Sequence, residues 1–138
     1  MRNVTKGLAA WVIAWSLLIP VVATLPGCAA AAVGAGAGGA LYFTSRGVES
    51  IVDATVGDVA QAVRETFSDM GISIEDTKTE EGGNKREITG KKGNLDVSVH
   101  WERQTSSTSK VEVAARKNMA EWDKDYAKDV LSRIVKKL

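Results

Sequence analysis

Apolar residues past Gly47 recur with two periods, and each period predicts an element. Val56, Val59, Ala60, Val63, Phe67 and Met70 fall at i, i+3, i+4, i+7, i+11 and i+14, which is one stripe on an α-helix. Thr55 stands before the stripe with Asp58 three residues on, a pairing that caps a helix N-terminus, and Gly71 stands where a left-handed residue would end it. A second helix is predicted from about Glu121, with Trp122, Tyr126, Ala127, Val130, Leu131, Ile134, Val135 and Leu138 on one side. Asp123 and Asp125 in its first turns and Arg133, Lys136 and Lys137 in its last complement the helix dipole.

Elsewhere in this region the period is two. Residues 48–52 offer a short apolar strand, and Ile72 and Ile74 alternate with Ser73 and Glu75. A weaker strand surrounds Ile88; the clearest alternation is Leu95, Val97, Val99 and Trp101, and Val111, Val113 and Ala115 resume it. Glu81-Gly82-Gly83-Asn84, Gly93-Asn94 and the polar residues 104–109 separate these strands, and loops this short favour an antiparallel meander. Two amphipathic helices need one apolar sheet face to cover. The expected fold is therefore α+β: a two-layer sandwich in the order β-α-β-β-β-β-α, with an antiparallel sheet of about five strands and both helices on one face. Residues 46–138 form this globular domain, and Phe67, Trp101 and Trp122 are expected in its core.

The N-terminal third follows neither period. Arg2 and Lys6 precede an apolar stretch over residues 8–23, and small residues then lead to Cys28, the single cysteine of the 138-residue chain. That layout is a secretory leader, removed from the mature protein. Leu25-Pro26-Gly27-Cys28 resembles the lipobox of bacterial lipoproteins, in which leucine, any residue and a small residue precede cysteine. The resemblance implies that the Cys28 thiol takes a diacylglyceryl group and that cleavage removes residues 1–27. An uncleaved membrane helix is the alternative, since the apolar run approaches the roughly 18 residues of a span, although Pro20 and Pro26 interrupt it.

Residues 28–45 then read as the lipidated cysteine and an Ala/Gly-rich tether, all alanine and glycine from 29 to 40 except Val33. The tether is either a coil or a short helix against the bilayer, with Tyr42 and Phe43 at headgroup level. Gly34, Gly36 and Gly39 match the spacing of a dinucleotide fingerprint, but no strand precedes them, so that match is set aside. Ala29 follows the cysteine directly. In the sorting rule of lipoproteins from two-membrane bacteria, aspartate there retains the protein at the inner membrane and alanine does not. The resemblance thus implies an outer-membrane anchor with the domain facing the periplasm.

Charge and candidate chemistry narrow the function mainly by exclusion. The 18 basic and 17 acidic residues alternate along the chain, and the leader takes Arg2 and Lys6 with it. No basic footprint for nucleic acid remains. A lone cysteine forms no internal disulfide, so stability must come from packing. One histidine and scattered carboxylates do not make the usual zinc sets, and Asp123, Asp125 and Asp129 on a helix lack the looped oxygen cage of a calcium site. Neither a metal nor another cofactor is expected. Asp96, Ser98 and Glu102 flank His100 at even spacing and share its strand face. Neighbours at i and i+2 stand parallel, roughly 6.5 to 7 Å apart, which suits a solvated row better than a proton relay, and an open face provides no oxyanion pocket. No catalytic residue is expected.

The whole layout resembles an uncharacterised family of small bacterial lipoproteins, domain of unknown function 3568. The residues that carry the resemblance are Leu25, Gly27 and Cys28, the Gly/Ala run 29–40, the helix 54–71 ending in Met70-Gly71-Ile72, and Ile88-Thr89-Gly90. It implies a lipoprotein of this fold and brings no activity or site residues. The expected function is a lipid-anchored envelope protein that presents a non-enzymatic domain to a protein partner. The second expectation is a binder or sensor of a small apolar ligand between sheet and helices, in a cavity lined by Phe67, Trp101 and Trp122.

Overall fold

The strand β5 (Leu95–Arg103) shows how the sequence builds a sheet with two unlike faces. Val97, Val99 and Trp101 are buried, while Asp96, Ser98, His100 and Glu102 between them are only partly covered. The same alternation runs through β6 (Ser109–Arg116) and β2 (Gly47–Val52), and more weakly through β4 (Lys85–Lys92). The structure is a computed structural model and describes residues 39–138. The predicted leader, the lipobox residues Leu25, Pro26, Gly27 and Cys28, and the Ala/Gly run up to Gly38 lie outside the described residues.

The remaining elements are β1 (Tyr42–Phe43), α1 (Val56–Met70), β3 (Ser73–Glu80) and α2 (Lys124–Lys136). All strand pairs are antiparallel, in the spatial order β1-β2-β6-β5-β4-β3. Helix α1 carries the chain from β2 to the far edge of the sheet. The meander β3-β4-β5-β6 then returns to pair with β2, and α2 lies over β6 and β2 beside α1. The fold is α+β, as the periodicity predicts.

Each end of α1 is fixed by the residues that predict it. The Thr55 hydroxyl accepts the Asp58 backbone N–H at 3.3 Å and the Asp58 carboxylate accepts the Thr55 N–H at 3.3 Å, while Gly71 takes φ +66°. All six stripe residues are buried. Two buried hydrogen bonds then fasten the helix entrance to the sheet. The Trp101 indole N–H donates to the Val56 carbonyl at 3.0 Å, and the Ser109 hydroxyl donates to the Ala54 carbonyl at 2.8 Å. Gly90 lets α1 come down onto β4. A β-carbon there would lie 2.8 Å from Ile72 Cγ2 and 2.9 Å from Phe67 Cε2.

Three differences from the sequence expectation have local causes. The expected antiparallel sheet of about five strands is present and gains the two-residue β1 at its edge, where Tyr42 and Phe43 pair with Glu49 and Val48; two residues show no periodicity to read. Leu41 beside them is 7% exposed, and the Ser50 hydroxyl donates to the Gly39 carbonyl at 3.0 Å, so residues 39–45 join the fold ahead of Arg46. In β3 the register shifts between Ile74 and Asp76, and Ile74 is exposed although Ile72 is buried. Trp122, expected in the core on α2, lies outside that helix and outside the core cluster, since α2 starts only at Lys124.

A domain cut to begin at Arg46 is expected to lose about 2 kcal/mol relative to one beginning at Gly39, the burial worth of the Leu41 side chain. Phe67→Ala and Trp101→Ala each remove a fully buried aromatic and should cost about 3 to 5 kcal/mol. Gly90→Ala should cost about 1 to 3 kcal/mol through overpacking. Urea denaturation of the four proteins checks these values.

Candidate functional site

Antiparallel register lays the side chains of the uncovered face in rows that the linear sequence does not display. One row crosses β2, β6, β5, β4 and β3 as Glu49, Glu112, His100, Glu87 and Lys78. The next is Ile51, Lys110, Glu102, Lys85 and Glu80. His100 therefore has Glu87 and Glu112 directly opposite it, at the roughly 4.5 to 5.5 Å Cβ spacing of cross-strand neighbours. Both are closer than Ser98 along the strand. Only the pairing register reveals them.

Around His100 the face is ionic. Lys110 stands 3.2 Å from Glu49 and Lys78 3.7 Å from Glu87, and Lys85 reaches Glu81 at 2.7 Å. The Glu49 hydrogen bond holds the Lys110 ammonium pKa above its ordinary value, and the Glu81 hydrogen bond does the same for Lys85. A shallow recess of about 80 Å³ opens beside His100, between Lys78, Lys85 and Glu87. Among the described residues no side-chain hydrogen bond joins His100 to Ser98 or Asp96. Asp96 is engaged elsewhere, 3.4 Å from Arg116 and 3.7 Å from Lys91.

A larger groove of about 370 Å³ opens at the other end of this face, bounded by Thr89, Ser98, Asp96, Arg116, Glu75 and Trp122. Backbone bonds set the tryptophan in place. The Asp123 N–H donates to the Ala115 carbonyl at 2.8 Å, the Lys117 N–H donates to the Glu121 carbonyl at 3.0 Å, and Arg116 and Trp122 form an isolated bridge. The Arg46 guanidinium lies 5.9 Å from the centre of the indole ring. This groove joins an aromatic wall to the solvent-exposed Asp96–Arg116 ion pair. Tryptophan and arginine are the side chains that most often dominate protein interfaces.

Asp123 decides that Trp122 stays out of the helix. Its carboxylate accepts the Tyr126 N–H at 2.9 Å as the N-cap of α2 and lies 3.3 Å from the Lys117 ammonium. Helical spacing carried backward from Tyr126 also fits Trp122, and this coincidence misplaces it in the sequence reading. Phe67 and Trp101 are fully buried and line neither opening, so the three aromatics do not surround one cavity. Asp129 faces Arg133, with both carboxylate oxygens 3.2 Å from its Nε, and among the described residues no three His, Cys, Asp or Glu side chains converge as metal ligands. No described helix is long and apolar enough to cross a membrane.

Asp123→Ala is expected to cost about 1 kcal/mol, the usual worth of an N-cap. The Tyr126 N–H, aided by Lys117 and opposed by burial, holds the Asp123 carboxyl below its ordinary pKa. A depressed carboxyl stabilises the fold fully above its unfolded pKa and loses that contribution as pH falls through the folded value. The gap between wild type and Asp123→Ala should thus be widest at neutral pH and close in acid. Denaturation curves across that range measure it, and a gap that is constant with pH would contradict the cap.

A search of curated proteins gave no match to this chain. Comparison with protein families matches residues 9–136 to the one described as "Protein of unknown function (DUF3568)". The match takes in the apolar N-terminal stretch, the lipobox-like residues and the whole sheet and helix layer. On that extent the chain belongs to the DUF3568 family.

Proposed function

We propose that the chain is a lipid-anchored protein of the bacterial envelope whose folded domain binds a protein partner and performs no chemistry. The observation that carries this reading is Leu25-Pro26-Gly27-Cys28 at the end of an apolar run behind Arg2 and Lys6. Acylation of Cys28 and cleavage before it would leave the domain on a short tether. Ala29 favours the outer membrane, with the domain in the periplasm.

The groove beside Trp122 is the part of the domain best suited to a partner. A half-buried indole offers apolar area at low entropic cost, and the Asp96–Arg116 pair beside it offers both signs of charge at the rim. His100, between two carboxylates on an open ionic face, is better suited to a solvated surface than to a nucleophilic relay. The alternative of an apolar ligand between sheet and helices has less support, because Phe67 and Trp101 are packed into the core.

Fatty-acid labelling and intact mass test the anchor. The mature protein should carry acyl chains on Cys28, and Cys28→Ala should abolish them and release the protein from membranes. Two or more chains, at about 0.8 kcal/mol per buried CH₂, hold a protein stably where one does not. A mature protein found unmodified in membranes would refute the reading. Trp122→Ala should weaken a crosslink to the partner in intact membranes while leaving the domain folded.

A further inference from the structure

We infer that the edge of the sheet formed by β1 and the adjoining part of β2 docks onto the lipid headgroups, so that the domain rests against the bilayer in one orientation. This inference rests on the proposed acylation of Cys28 and adds to it a second, non-covalent membrane contact. Tyr42 and Phe43 are each 42% exposed and Ile51 is 53% exposed, three of the six large apolar side chains that the described domain leaves open. They are neighbours. Tyr42 lies opposite Glu49, on the face that Ile51 shares two residues further along β2, while Phe43, opposite Val48, emerges on the other side of the same edge. A two-residue strand thus presents a tyrosine on one face and a phenylalanine on the other, as a wedge presented edge-on.

Chain length selects the bilayer as the occupant. Only the residues between Cys28 and Gly39 separate the anchor from the described fold, and at roughly 3.5 Å per residue they reach at most about 40 Å. The β1 edge is where that chain enters, so it is the part of the domain held closest to the lipid. Tethering keeps the edge at an effective concentration on the order of millimolar, enough for a contact too weak to form in solution. Composition agrees with headgroup depth. Residues 39–48 contain Arg46 and no carboxylate, and Glu49 opposite Tyr42 is paired with Lys110 at 3.2 Å. Tyrosine suits a zone that is apolar on one side and wet on the other, while phenylalanine supplies apolar anchorage. The outer backbone groups of β1 would still meet water there, as they could not in the hydrocarbon.

The test uses the full-length acylated protein in vesicles of phosphatidylethanolamine and phosphatidylglycerol. Cys28 is the only native cysteine, so once it is acylated a single introduced cysteine takes a fluorophore at Phe43→Cys, Ile51→Cys or, on β3 at the opposite edge of the sheet, Ile74→Cys. Brominated lipids should quench the first two labels roughly twofold or more and leave the third nearly unchanged. Tyr42→Ser with Phe43→Ser should abolish the quenching at position 51, with acylation, membrane recovery and circular dichroism unaltered. Acylated protein whose labels at 43 and 51 are not quenched overturns the docking and leaves the anchor standing. Crosslinking between copies through Ile51→Cys, in place of lipid contact, overturns it in favour of a second copy. A mass without acyl chains overturns the anchor and the docking together.

Discussion

The buried bond from the Trp101 indole to the Val56 carbonyl is the point from which the rest of the domain is arranged. Trp101 is the largest of the fully buried side chains, and its N–H would be stranded in apolar surroundings without that oxygen. The bond holds the first turn of α1 over β5, and Ser109 adds a second fastening to the chain just before it, through Ala54. With the helix start fixed, the Thr55 cap and Gly71 set its length. Phe67 is then brought down over β4, where only Gly90 leaves room for it. A sheet residue that reads as ordinary core thus also sets the position of the helix above it.

Placing both helices on one face obliges the other to be wet. That face is accordingly built from charges in alternating cross-strand rows, and its pairs stabilise little because solvent screens them. Their role is to keep this face compatible with water. The same constraint explains why the chemistry-bearing residues lie so openly. His100, Glu87 and Glu112 meet because strand register brings them together, while the side of the sheet that could enclose a substrate is filled by valines, Phe67 and Trp101. The Trp122 groove exists only because the segment after β6 doubles back, through the Asp123 bond to Ala115, to stand a side chain above that face.

Much of this was legible in the sequence where a period runs long enough to be counted. The α1 stripe spans fifteen residues with a cap at each end, and β5 alternates through nine, so element type, boundaries and buried positions follow directly. Tyr42 and Phe43 make a strand with no countable period, held by pairing to β2. The eight exposed residues of β3 are a strand by virtue of β4 alone, and the bulge after Ile74 breaks the alternation they would show. Trp122 fits the α2 stripe as well as any residue does; what excludes it is the Asp123 cap. Glu87 and Glu112 beside His100 follow from register, which hairpin lengths suggest but only the assembled sheet fixes.

The two edges of the sheet are finished in opposite ways, and the contrast bears on what each can touch. Along β3 the exposed edge carries Glu75, Asp76, Lys78 and Glu80 and a register shift, features that discourage another strand from adding to it. At β1 the edge is only two residues long, too short to template a ladder, yet its side chains are aromatic and uncharged. Brevity alone already protects that edge against strand addition. Exposed aromatics therefore serve no purpose in blunting it, and their open apolar area is a cost unless something covers it. The chain that enters beside them leads back from Tyr42 to Cys28 within fourteen residues, and with the proposed lipid on that cysteine the bilayer is the surface those side chains would meet most often.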